Sequence, residues 1–277
     1  MTAAEVTARS SLCLVLGDPI SHSLSPAMHN AGYRDAGIPF IMAASHVVPA
    51  SLPDAIRGVR ALGVRGLAVT MPHKVEICAL LDHLDPVAAA IGAVNTVVNS
   101  GGVLIGHNTD WEGIVRPLER RTPLQGKRVA VLGAGGAAQA AAYGCFSRGA
   151  SIAIFNRTAQ RAHAVAKATG AEVLSLSDVA ELKRFDIVIN TTSIGMGEAS
   201  GESPVPPGIL ASGQIIFETI YHPSSTALVK IAEQAGATAI RGIEMFLAQG
   251  LAQFELHTGV KGPHAAMEAV LRNALTP

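Results

Sequence analysis

Charge is scarce in this chain. Of 277 residues only 15% are Asp, Glu, Lys or Arg, and the two signs balance at 21 each. A net charge of zero gives no hint of nucleic acid or an anionic membrane as a partner, both of which need a basic face, although an anionic small ligand needs only local cations. Cysteine is nearly absent. Cys13, Cys78 and Cys145 lie far apart and form no C-x-x-C pair, which argues against a disulfide framework and for a reduced, cytoplasmic protein with core thiols. No apolar run approaches the ~18 residues of a membrane span, and no N-terminal segment has the pattern of a secretory signal. Internal repeats and low-complexity linkers are missing too. What is present is a hydrophobic content of 49%, enough for a substantial core in two ordinary domains or one large one.

Short apolar runs alternate with stretches of helical spacing. The runs are Leu12–Leu16, Phe40–Ala44, Leu67–Thr70, Val94–Val98, Val129–Leu132, Ile152–Phe155, Ile187–Ile189 and Ile215–Phe217. Helices are expected over Ala27–Ala36, Pro53–Leu62, Ala137–Arg148, Ala159–Thr169 and Thr226–Ala235. This alternation predicts an α/β protein with largely parallel sheets covered by helices. Ser100-Gly101-Gly102 reads as a hairpin turn before Val103–Ile105, so an antiparallel edge is expected there. Asp110–Arg121 looks helical despite Pro117, which requires a late start or a kink. The domain boundary is placed near Asp110, giving a first domain over 1–110 completed by 243–277, and a second over 111–242. The helical stretches Glu244–His257 and Pro263–Ala274 would then pack back on the first domain.

The segment Arg128-Val-Ala-Val-Leu-Gly-Ala-Gly-Gly-Ala-Ala-Gln is strand, tight loop and helix start. It fits G-x-G-x-x-A through Gly133, Gly135 and Ala138, a Rossmann dinucleotide pattern in which the helix N-terminus offers N–H groups to a pyrophosphate. Gly133, Gly135, Gly136 and Ala137 are the candidate phosphate contacts; the plainer alternative is a structural turn. The next strand ends in Asn156-Arg157-Thr158, with Arg161 close by, where an NAD-binding domain usually carries a carboxylate. A guanidinium pairs with a 2′-phosphate, so the cofactor is read as NADP; Arg157 as a solvated surface residue is the alternative.

The remaining polar clusters fall in the first domain. Ser23 and Ser25 alternate with Leu24 ahead of a helix; capping by Ser25 would explain one hydroxyl but not both. In Gly66-Leu-Ala-Val-Thr-Met-Pro-His-Lys a buried strand ends at Pro72 and delivers Lys74, with Thr70 beside it. Asn95-Thr96 and Asn108-Thr109-Asp110 complete the set, and such groups are expensive to bury unless they line a polar cleft. His22, His29, His73 and His107 show no metal-ligand spacing, so packing or capping is expected and no metal is assigned.

The chain resembles the shikimate dehydrogenases and their quinate-dehydrogenase relatives. The resemblance covers essentially its whole length, through S-H-S-L-S-P-A-M-H-N, V-T-M-P-H-K, G-A-V-N-T, G-H-N-T-D, G-A-G-G-A-A, N-R-T, I-Y-H-P and G-I-E-M-F-L-A-Q-G. It implies an N-terminal α/β substrate domain with a mixed, mostly parallel sheet, and a Rossmann NADP-binding domain. The implied activity is reduction of 3-dehydroshikimate to shikimate by NADPH, a step of aromatic amino-acid biosynthesis. By the same resemblance Ser23, Ser25, Thr70, Asn95 and Gln249 bind substrate, Tyr221 borders the site, and Met196 lies beside the nicotinamide. Lys74 and Asp110 match the catalytic pair, which would share the proton as one coupled unit. Rival readings are a quinate or aminoshikimate dehydrogenase, using NADP or NAD, and a non-catalytic NADP-binding sensor. Oligomeric state stays open, a homodimer among the alternatives.

Departures from the family pattern concern Ala68, where Asn is usual, Trp111, where Gly is frequent, and Glu218, where Asp is common. Trp111 adjoins Asp110 and is expected to bear on substrate choice.

Overall fold

The predicted alternation is realised as strands separated by helices in a computed structural model that describes residues 6–275. One unit ends at Thr109 and resumes at Gln249; the other runs Asp110–Ala248. The first unit opens with β1 (Ser11–Gly17), α1 (Ser25–Asp35), β2 (Phe40–His46), α2 (Leu52–Ala61) and β3 (Gly66–Val69). Then come β4 (His83–Leu84), α3 (Pro86–Ile91), β5 (Thr96–Ser100) and β6 (Val103–His107). The second unit holds α4 (Asp110–Glu119), β7 (Arg128–Leu132), α5 (Gly136–Phe146), β8 (Ser151–Asn156), α6 (Ala159–Ala166) and β9 (Glu172–Ser175). It continues through β10 (Ile187–Asn190), β11 (Ile215–Glu218), α7 (Ala227–Gln234) and β12 (Thr238–Ile240). Finally α8 (Gly242–Thr258) carries the chain out of the second unit, and α9 (His264–Leu275) packs against α1 in the first.

The first sheet has the order β2-β1-β3-β5-β6-β4. Pairing is parallel from β2 through β1 to β3, antiparallel from β3 through β5 to β6, and parallel again between β6 and β4. The hairpin forms as expected, with Gly101 and Gly102 both at positive φ between the strands. The expected edge does not, because β4 covers β6. Two residues are too few to show a period-two pattern, so nothing in the sequence announces that strand. The opposite edge is covered by a side chain: Asn30 Nδ2 donates to the Met42 carbonyl at 2.9 Å, and the Met42 amide donates to Asn30 Oδ1 at 2.8 Å. In α2, Leu52, Ile56 and Val59 recur at helical spacing and are buried against Leu67, Val69, Val97 and Leu104.

The second sheet, β12-β11-β10-β7-β8-β9, is parallel throughout. Both faces are covered: Val129, Val131, Ile187 and Ile189 enter one core, and Ala130, Leu132, Val188 and Phe155 the other. That two-sided burial is why these strands read as unbroken apolar runs. Of the two alternatives raised by Pro117, the late start does not occur: α4 begins at Asp110 and contains the proline. Two of the three thiols are core residues, with burial pushing Cys13 up to about 11 and Cys145 up to about 12, while Cys78 is half-buried. No helix among the described residues is long and apolar enough to cross a membrane.

Candidate active site

In the first unit the strand directions bring separate segments to one edge of the sheet. Leu16 of β1 pairs in parallel with Val69 of β3, so the segments after both strands leave side by side. Because β5 runs against β3, its amino end meets the carboxyl end of β3, and the Val69 amide donates to the Asn95 carbonyl at 2.7 Å. The end of β6 arrives at the same edge, with His107 opposite Thr96. Ser23 and Ser25 follow β1, Thr70 and Lys74 follow β3, Asn95 precedes β5, and Asn108 and Thr109 follow β6. Open α/β sheets bind ligands beyond the carboxyl ends of their strands, and this edge has that character.

The loops there are tightly pinned. The Asp18 amide donates to the Met71 carbonyl at 3.0 Å and the Thr70 amide to the Leu16 carbonyl at 2.9 Å. Gly17 is required at the crossing: a Cβ on it would come within 2.5 Å of Thr70 Cγ2 and 3.1 Å of the Met71 carbonyl. The Lys74 carbonyl accepts from the Val94 amide at 2.7 Å, which fixes the lysine beside Asn95. Ser23 Oγ, not Ser25, engages the start of α1 by accepting from the Ser25 amide at 3.3 Å. Lys74, Ser23 and Thr70 are half-buried; Ser25 and Asn95 are buried.

Asn95 is the hub. Its Nδ2 donates to Thr109 Oγ1 at 2.9 Å and Gln249 Oε1 at 3.5 Å, and its Oδ1 accepts from the Thr109 amide and the Thr96 hydroxyl, both at 2.8 Å. Gln253 Nε2 donates to the Asn95 carbonyl at 3.0 Å. The sequence reading missed Gln253, although it stands one helical turn after Gln249 on α8 and so on the same face.

In the second unit the glycine loop lies where strand order reverses, with β10 on one side of β7 and β8 on the other. Gly133 has φ 112, and a side chain there would meet Thr191 Oγ1 at 2.7 Å. Gly135 precedes α5 with no side-chain cap and nothing within 4 Å of where its Cβ would be. Gly136 and Ala137 begin that helix. The arrangement leaves backbone N–H groups open to a pyrophosphate. Asn156 closes β8 with its Nδ2 donating to the Thr158 carbonyl at 2.9 Å, and Arg157 between them is exposed. Met196 follows β10 and Tyr221 follows β11, its ring 4.4 Å from that of Phe246.

Two of the departures have local explanations. Ala68 is buried within β3, opposite Thr96. Trp111, expected to bear on substrate choice, packs beside α5: its ring meets Tyr143 of that helix edge-on at 6.4 Å, and the guanidinium of Arg148, just past the helix end, lies 5.3 Å from its centroid.

Comparison with known proteins points to one family. The profile described as the shikimate dehydrogenase substrate binding domain matches residues 15–97, that of shikimate / quinate 5-dehydrogenase 118–196, and that of the shikimate 5′-dehydrogenase C-terminal domain 242–272. A shikimate dehydrogenase (NADP+) of Moorella thermoacetica is 42% identical, with 98% of this chain and 96% of the relative covered. The chain belongs to the shikimate dehydrogenase family. Among solved structures, a shikimate dehydrogenase in complex with NADP+ superposes with a TM-score of 0.93 at 35% identity, covering 99% of both chains. The Thermus thermophilus shikimate 5-dehydrogenase in complex with NADP(H) and shikimate gives 0.88 at 34%, over 96% of this chain and 100% of that one. A quinate dehydrogenase of Corynebacterium glutamicum in complex with NAD gives 0.85 at 28%, over 96% and 100%.

Proposed function

We propose that the chain is an NADP-dependent shikimate dehydrogenase, a cytoplasmic enzyme interconverting 3-dehydroshikimate and shikimate. The observation that carries this reading is the convergence of Ser23, Ser25, Thr70, Lys74, Asn95 and Gln249 on one edge of the first sheet. Hydroxyl and amide groups there suit a polyhydroxylated carboxylate, and they come from positions matching the family's motifs. Residues up to Thr109, completed by the C-terminal helices, form the substrate domain; the unit holding Gly133 forms the cofactor domain.

The second unit fits the cofactor on its own evidence: Gly133 and Gly135 keep the loop bare, the start of α5 faces it uncapped, and Arg157 is exposed at the end of β8. Gly133, Gly135, Gly136 and Ala137 would hold the pyrophosphate, Asn156, Arg157 and Thr158 the 2′-phosphate end, and Met196 the nicotinamide side. Bound there, NADPH supplies the hydride. The protein contributes charge and proton handling. Lys74 stabilises the negative charge that grows on the substrate's C3 oxygen, and with Asp110 it delivers the proton, general-acid help worth ~10²–10⁴-fold. Tyr221 borders the substrate.

Specificity constants for shikimate and quinate, each with NADP and NAD, test the reading. Shikimate with NADP is expected to dominate, and Arg157→Ala should weaken NADP about 10- to 100-fold, the loss of a charge-assisted bond, while sparing NAD. Faster quinate turnover with NAD would replace this reading by the quinate dehydrogenase one.

A further inference from the structure

The second unit contains a buried polar network that the proposed mechanism leaves unused. Glu218 ends β11 and is 1% exposed. Its Oε1 accepts from the Ile220 amide at 3.1 Å and from Asn190 Nδ2 at 3.0 Å. Its Oε2 accepts from the Thr226 hydroxyl at 2.8 Å and from Asn190 Nδ2 at 3.2 Å. All of these donors are neutral. Burial pushes the carboxyl's pKa above its ordinary value, against the pull of the Ile220, Thr226 and Asn190 donors.

Each partner passes the connection on. Asn190 ends β10, and its Oδ1 accepts from the Thr192 amide at 3.0 Å and the Thr192 hydroxyl at 2.7 Å. That hydroxyl accepts from the Ile194 amide at 3.2 Å. Thr226 Oγ1 accepts from the Val229 amide at 3.3 Å and so caps α7. Ile220 is wedged, since its carbonyl oxygen lies 2.3 Å from where a Cβ on Gly242 would stand. A carboxylate buried among neutral groups is a poor choice for stability alone, whereas a fully satisfied polar network fixes one arrangement of the segments it joins.

We propose that Glu218 is a positioning residue that locks segment 191–196, after β10, to segment 219–221, after β11, and thereby sets Met196 and Tyr221 for the reaction. The inference rests on the reading that these residues serve a shikimate dehydrogenase, and it concerns a position where the family more often has Asp. The side chain touches neither substrate nor cofactor in this role; it acts through Asn190, Ile220 and Thr226.

The test uses full-length protein with Glu218→Gln, which keeps the volume but turns one acceptor into a donor facing donors. Glu218→Asp, which keeps both acceptors, is the conservative variant. Amide hydrogen exchange should accelerate by about tenfold or more in 192–196 and 219–222 together, with the Gly133 loop unchanged. The kcat for shikimate should fall by about tenfold or more while the KM for NADP stays within about threefold, and the Asp variant should recover much of the kcat. Faster exchange confined to 219–222, or an unchanged kcat, would overturn the proposal. So would loss of NADP binding in step with kcat, which marks general loosening. If unmodified protein fails to turn over shikimate with NADP, the proposed function fails, and the exchange pattern still decides whether Glu218 couples the two segments.

Discussion

His29 and His257 lie with ring centroids 6.3 Å apart in the interior of the first unit, and both are fully buried. Tyr33 and Phe254 pack on the His29 ring, and His257 covers Gly66. Among the described residues, no hydrogen bond of ordinary geometry reaches their ring nitrogens. Burial is the main reason that both imidazoles resist protonation, with His29 lowered to about 3 and His257 to about 4. His257 adds to the effect on His29, and Arg65 and His107 to that on His257; Gln253 and the backbone at Val97 and Leu67 oppose it in part.

The unfolded chain takes up these protons near pH 6.5, whereas the folded chain stays neutral down to about 3–4. The stabilisation is therefore complete above pH 6.5 and erodes as pH falls below it, by up to about 2.7 kcal/mol per pH unit for the pair. Denaturant melts between pH 7 and 5 should show this slope, and His29→Met, untitratable and adaptable in a core, should roughly halve it. A slope unaltered by that substitution would place the acid sensitivity elsewhere.

Gly17→Ala should damage the proposed substrate site selectively. The added methyl meets Thr70 Cγ2 and Ile20 Cδ1 at 2.5 and 2.9 Å, and the Met71 carbonyl at 3.1 Å, which has no rotamer to yield. Overpacking of this kind costs about 1–3 kcal/mol. The expected outcome is a KM for shikimate raised about tenfold, the equivalent of ~1.4 kcal/mol, with the KM for NADP unaltered. Equal increases in both would show that the strain spreads beyond the crossing of the loops after β1 and β3.

The sequence made the parallel second sheet legible because its strands are apolar on both faces and its glycine loop joins a strand to a helix. It singled out Lys74 as a candidate because Pro72 ends a buried run just before it. It did not disclose β4, whose two residues carry no period, nor α3, whose six residues are set by their ends. There Asp85 Oδ1 accepts from the Val87 and Ala88 amides at 2.7 and 3.0 Å, and Gly92 closes the helix at φ 74. The Glu218 network was equally hidden, since Asn190, Glu218 and Thr226 meet only when β10 and β11 pair. Glu218 stood out in the sequence merely as a departure. Trp111 likewise invites one reading from its neighbour in the chain and a second from its neighbours in space, Tyr143 and Arg148.

Trp111→Ala therefore tests packing against specificity. The indole joins α4 to α5 through Tyr143 and to the turn after α5 through Arg148, and the Cβ of Trp111 would lie 3.3 Å from one added at Gly144. Truncating a partly buried tryptophan should cost about 2–3 kcal/mol, somewhat less than the loss for one fully in the core. Thermal melts should record that loss, while the ratio of specificity constants for shikimate and quinate stays within about twofold, under ~0.5 kcal/mol. A changed ratio with an unchanged melt would return Trp111 to the substrate site.

Lys74→Ala separates chemistry from architecture, because the residue is fixed in place through its backbone. The bond from the Val94 amide ends on the Lys74 carbonyl, and Cys78 Sγ approaches the same oxygen at 3.6 Å, so both contacts survive loss of the ammonium. The loop after β3 should keep its course, held by these contacts to the Lys74 carbonyl. On the proposed mechanism the loss removes the positive charge beside the substrate's reacting oxygen, and kcat should fall by ~10²–10⁴-fold. NADP binding, measured by titration, should be unchanged, since the cofactor residues lie in the other unit. Turnover, melting temperature and cofactor affinity falling together would mean that the side chain supports the fold; a fall in kcat alone makes it part of the reaction.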